Sequence, residues 1–156
     1  MKEFCKNNLN IILTWLFIFL VAGLGSLFVN LGMTWYEGLN KPSQWIPNIV
    51  IPIMWTVIYL SFGVIFTILY KKQEINKRII VLGIINGLMN ILWCLVFFTL
   101  NQLLLGNIII ILNAFFGILL LCEIAKIKYW YVNILWLYPI WLLLATSLNN
   151  ALWILN

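Results

Sequence analysis

Residues 103–121 read LLLGNIIIILNAFFGILLL, a stretch with no charged side chain. A helix that crosses about 30 Å of hydrocarbon needs about 20 apolar residues, so this segment has the length of one membrane crossing. Outward from it, charges and turn formers divide the chain into four further runs, 9–31, 49–70, 79–100 and 130–153. The expected fold is an all-α integral membrane protein, one five-helix bundle over residues 1–156, with the first loop, 32–48, folded back over it as a lid. Composition agrees, since only 8% of the 156 residues are charged and 65% are hydrophobic. A soluble domain is about 25% charged and has no lipid in which to hide such a surface. The first run is longer than the apolar core of a cleavable leader, so it is expected to stay as a span.

What is missing narrows the chemistry. Histidine is absent and the acids are only Glu3, Glu37, Glu74 and Glu123, which excludes histidine metal or haem ligation and Ser-His-Asp catalysis. No metal site and no cofactor are expected. Cys5, Cys94 and Cys122 have no CxxC spacing and read as free thiols. The net charge of +5 comes from short basic clusters between apolar runs, with no extended face for nucleic acid. Topology explains these clusters: Lys2, Lys6, Lys71, Lys72, Lys77, Arg78, Lys126 and Lys128 fall on one side of the bundle, and only Lys41 on the other. Positive-inside bias then places the N-terminus in the cytoplasm and the first loop and C-terminus outside.

No Asp, Glu, Lys or Arg lies in the middle of a span, so ion-coupled pumping and a retinal Schiff base lack their residue. The spans hold Asn and Trp instead. Trp15, Trp130 and Trp153, near span ends, fit the interfacial belt. The others lie deeper: at a rise of about 1.5 Å per residue, Trp55, Trp93, Ala145, Asn90 and Trp141 sit about 9 to 18 Å inside the outer ends of their spans. Asn90 with Trp93, Trp55 with Tyr59, and Trp141 with Ala145 and Asn149 repeat at helical spacing, so each helix offers one aromatic and amide face. Two readings fit that layer. It is a pocket for a large, flat, lipophilic ligand, stacked on rings and oriented by amides, or it is a helix seam with Asn90 and Asn149 as hydrogen-bonding glue. Pro139 removes the backbone bond to Leu135 and is expected to kink the fifth span. Gly83-x-x-x-Gly87 permits close approach of another helix, from the same chain or from a second copy in a homodimer.

Four motifs, in order, resemble a known family. Trp35-Tyr36-x-x-Leu39-x-Lys41-Pro42, Pro52-x-x-Trp55-Thr56-x-x-Tyr59, Asn90-x-x-Trp93-x-x-x-Phe97-Phe98 and Pro139-x-Trp141-x-x-x-Ala145-Thr146-x-Leu148-Asn149 are similar to the signature of the tryptophan-rich sensory proteins, also known as translocator proteins or peripheral-type benzodiazepine receptors. The resemblance implies a five-helix bundle, commonly dimeric, in a bacterial-type plasma membrane, with a cavity opening toward the first loop. It implies porphyrin ligands such as protoporphyrin IX, sterols and synthetic benzodiazepine-site compounds. By motif, Tyr36, Trp55, Asn90, Trp93, Trp141 and Ala145 would line the cavity. Light-dependent porphyrin degradation is implied for some bacterial members, with Trp55 and Trp141 as the candidate redox residues. A passive structural or partner-binding bundle is the third reading. The chain departs from the family pattern at Lys41-Pro42-Ser43-Gln44-Trp45-Ile46-Pro47, where the aromatic is shifted by one and Ile46 replaces the first Pro of a pair. The segment Ala145–Asn156 holds neither a Tyr nor a basic residue, so the sterol-recognition pattern of animal members is missing.

Overall fold

The computed structural model describes residues 2–42, 46–47 and 49–156, with side chains from residue 7 onward. The Cys5 thiol and the Ser43-Gln44-Trp45 part of the lid therefore lie outside the described residues. In hydrocarbon every backbone N–H and C=O needs an internal partner, and each apolar run meets that demand as a helix. The elements are α1 (Lys2–Glu37), α2 (Val50–Lys71), α3 (Lys77–Cys94), a π-helical turn (Leu95–Thr99), α4 (Leu103–Ala125), α5 (Tyr129–Leu135) and α6 (Leu137–Leu155). The π turn extends α3, and α5 with α6 forms the fifth span; among the described residues five segments are long and apolar enough to cross a membrane. The protein is an integral membrane protein.

The helix ends follow from local chemistry. Asn76 caps α3 by accepting the Ile79 N–H at 3.0 Å, and the Leu100 N–H closes the π turn on the Leu95 carbonyl at 2.9 Å. Pro139 has no N–H to give the Leu135 carbonyl, and the chain turns at Trp136 between α5 and α6. The first connection is shorter than expected, because α1 runs on to Glu37 and makes Trp35 and Tyr36 helical. Gly32 belongs to that helix for a packing reason. A Cβ there would stand 2.0 Å from the Phe98 carbonyl oxygen, so only glycine lets α1 cross the π turn. Thr99 Oγ1 donates to the Phe28 carbonyl at 2.9 Å beside the crossing.

Helix contacts run α1 to α2, α2 to α5 and α6, these to α4, α4 to α3, and α3 back to α1, a closed ring around a central lumen. Two apolar clusters pack around it. One, at the first-loop end, gathers Trp93, Phe97, Tyr138 and Trp141; the other, at the opposite basic end, gathers Ile65, Leu69, Leu120 and Tyr131. The described part of the first loop lies on its end of the bundle, with Ile46 buried and Asn40 joined to Asn156 through two hydrogen bonds of 2.9 and 3.0 Å. Trp130 and Trp153 face outward as belt residues should, but Trp15 does not. Its ring covers Gly63 of α2 and its Nε1 donates to Thr67 Oγ1 at 3.0 Å, a site that the missing side chain of Gly63 opens.

Candidate functional site

The aromatic residues expected in one layer do meet. Trp55 packs against Trp93 with ring centroids 6.0 Å apart and against Tyr59 at 5.8 Å with planes 28° apart. Trp93 also meets Phe97 and Phe98. Trp141 is buried in the same cluster, with Tyr36 and Ala145 packed at its margin. The π turn explains the density of this layer: one extra residue per turn lets Phe97 and Phe98 both reach it from α3. Two indole N–H groups here, on Trp93 and Trp141, have no hydrogen-bond partner among the described residues.

Rings that fill the first-loop half leave the open volume elsewhere. Beside Tyr36 there is a void of about 10 Å³. The main cavity, about 430 Å³, lies in the basic half of the lumen, where the outer-half location expected from the sequence had not placed it. It runs from Asn10, Tyr70 and Ile80 up to Val21, Ile58 and Asn90, with Tyr138 and Leu120 as its far wall. Of the residues picked out by motif, Asn90 lines it, whereas Trp55, Trp93, Trp141 and Ala145 stand beyond its upper end and Tyr36 borders the small void. Gly83 and Gly87 line it as well. The face that their spacing offers to a second copy is met by this chain's own Phe66, Phe17 and Val21.

Polar groups in the cavity are few and mostly paired with each other. Tyr59 Oη donates to Asn90 Oδ1 at 3.0 Å, tying α2 to α3 at the roof. Asn90 is only 3% exposed, and its Nδ2 makes no hydrogen bond among the described residues, which leaves a donor free at the roof. Below it, Tyr138 Oη donates to Asn86 Oδ1 at 2.9 Å, and Asn86 Nδ2 donates to Asn113 Oδ1 at 2.8 Å, joining α6, α3 and α4. Sequence reasoning missed this triad. Its only trace is the Asn86-to-Asn90 spacing of four, which puts both amides on one face of α3. Asn149, expected as glue, does join helices, but through its backbone carbonyl, which accepts from Asn107 Nδ2 at 3.4 Å.

Among the described residues no Asp, Glu, Lys or Arg lines the cavity, and no group of His, Cys, Asp or Glu could hold a metal ion. Such a site can stack, exclude water and donate a few hydrogen bonds. Residues 11–154 match the model of the TspO/MBR family, nearly the whole chain. The chain belongs to the TspO/MBR family. Its TspO/MBR relatives include the tryptophan-rich protein TspO of Archaeoglobus fulgidus, 29% identical over 96% of this chain and 99% of the relative. The translocator protein of Homo sapiens is 29% identical over 83% of this chain and 79% of the relative. Protein CrtK of Rhodobacter capsulatus is 28% identical, with 78% of each chain covered.

Proposed function

We propose that this TspO/MBR protein binds a flat, lipophilic small molecule of the porphyrin class in its central lumen. The observation that carries the reading is the half-open cavity of about 430 Å³ whose roof is Tyr59 and Asn90, backed by the Trp55–Trp93 pair. The volume falls within the range of small-molecule sites, about 300 to 1,000 Å³, and the walls are apolar with a few convergent polar groups. A flat macrocycle would lie against Phe17, Phe62 and Phe66, with its leading edge at the Asn90 amide. Trp55 would touch it through Tyr59 or directly after a small ring shift, while Trp93, Trp141, Ala145 and Tyr36 hold that roof in place. The orientation read from the basic residues puts the cavity in the cytoplasmic half.

Titration of the purified protein with protoporphyrin IX in darkness tests this. Saturable quenching of tryptophan fluorescence, weakened in Asn90→Leu with the melting temperature preserved, is the expected result. Absence of saturable binding to folded protein would leave the bundle as a structural or partner-binding element. Repeating the titration under light separates binding from chemistry: protein-dependent bleaching that Trp55→Phe or Trp141→Phe removes would add a redox role for those rings.

A further inference from the structure

The cavity is open along part of its wall. On its rim Leu13 of α1 is 53% exposed and Ile84 of α3 is 43% exposed, whereas Asn90 and Tyr138, at the roof and far wall, are 3% and 2% exposed. The opening therefore lies between α1 and α3. These helices are packed together at Gly87, where Phe17 and Val21 press on α3, and again at Gly32. Toward the basic end they part: the residue nearest Gly83 is Phe66 of α2, with no α1 atom among its closest neighbours. Only Val21, Gly25 and Gly32 of α1's described residues are buried, so much of its half from residue 7 to 20 faces outward, with Trp15 seated on α2.

The slot's apolar wall continues into positive charge. Lys77, Ile80, Ile84 and Gly87 fall on one face of α3 at intervals of three, four and three, and the last three line the cavity. Lys77 is thus one turn beyond Ile80 at the exposed rim edge of that face, in line with Ile84, and about 20 Å along the helix axis from Asn90 at 1.5 Å per residue. It is exposed and has no acidic partner among the described residues, as is true of Lys71, which follows the cavity residue Tyr70. The nearby acid is already engaged: Glu74 accepts from Tyr131 Oη at 2.9 Å and pairs with Lys128 at 3.6 Å. The N-terminus of α3 adds its helix dipole to the same sign.

We infer that the α1–α3 slot selects an amphiphilic carboxylate, with its apolar body in the cavity, its inner edge at the Asn90 amide and its anionic edge held outside by Lys77. The inference rests on the lumen being the binding site and adds the orientation and charge of the ligand. A carboxylate inside an apolar cavity without a cation is strongly disfavoured, so a charged ligand fits only with its charge at this rim. Two sources share that chemistry, a tetrapyrrole with carboxylates on one edge and a fatty-acid-like amphiphile from the adjoining leaflet.

The test compares two ligand pairs, protoporphyrin IX with its dimethyl ester and palmitate with its methyl ester, on the parent, Lys77→Gln and Arg78→Gln. Arg78 loses the same charge but sits about 100° around the helix, off the cavity face. At low salt, Lys77→Gln should weaken the acids about fivefold, leave the esters unchanged, and exceed the effect of Arg78→Gln. Equal binding of acid and ester by the parent overturns the inference, as does an equal loss in both lysine and arginine variants. If neither porphyrin binds but palmitate follows the Lys77 pattern, the rim assignment stands and the porphyrin reading falls. If both porphyrins bind alike, the lumen reading stands and the rim assignment falls. Melting curves of the variants show that each is folded, which an exposed substitution beside an intact Asn76 cap should leave unchanged.

Discussion

At the scale of single residues the bundle is tuned by hydrogen bonds that hydrocarbon makes obligatory. Tyr59 and Asn90 form one such bond at the cavity roof, and replacing Tyr59 by Phe keeps the ring against Trp55 while removing the donor. Thermal unfolding in detergent should report a loss of about 1 kcal/mol, the ordinary worth of an interhelical hydrogen bond. Trp141 presents the opposite case. Its Nε1 is buried with no partner among the described residues, so Trp141→Phe removes an unpaired donor as well as part of a ring. Its stability loss should be smaller than that of Trp55→Ala, which deletes contacts to both Tyr59 and Trp93. A larger loss in Trp141→Phe would mean that its N–H has a partner, such as an ordered water. The aromatic layer itself was legible, because Trp55, Asn90 and Trp93 repeat at helical spacing at matched depths. Whether it is open or closed was not, since that depends on ring angles and on the π turn, for which five residues of ordinary composition carry no signal.

At the scale of elements, the spans were readable because nothing but a helix or closed barrel satisfies an apolar backbone in lipid. Their ends were less so. Gly32 near a polar loop looks like a terminator, yet α1 continues because Gly32 is where it crosses the π turn. Glycine is required there and optional elsewhere on α1, which a pair of variants should reveal. Gly32→Ala places a methyl group on the Phe98 carbonyl and should destabilise by at least about 1–3 kcal/mol, as overpacking does. Gly23→Ala meets nothing within 4 Å and should be neutral or stabilise by up to about 1 kcal/mol through helix propensity. Melting temperatures of the two variants check this, and equal values would contradict the crossing. Trp15 misled for a related reason: position near a span end suggested the belt, while its true partner, the bare surface of Gly63, lies on another helix.

At the scale of the whole molecule, the ring of helices leaves one lumen, filled by rings at the first-loop end and open at the basic end. The distribution of lysine and arginine predicts that the basic end faces the cytoplasm, and labelling tests it. In a background without native cysteines, Asn40→Cys should react with an impermeant maleimide in intact cells, and Gln73→Cys only after lysis; the reverse pattern would invert the bundle. The lumen's offset could not be seen in the sequence, because it arises where α1 leaves α3 below Gly87, a matter of which contacts end and not of composition. The central claim, that the lumen is a ligand site, is tested most directly by filling it. Thr14 lines the cavity from the half of α1 before Val21, where its hydroxyl donates to the Asn10 carbonyl of its own helix. Thr14→Trp should project an indole into the open volume and reduce dark protoporphyrin IX binding at least tenfold, with the melting temperature unchanged. Parent-like affinity in a folded Thr14→Trp protein would contradict the claim.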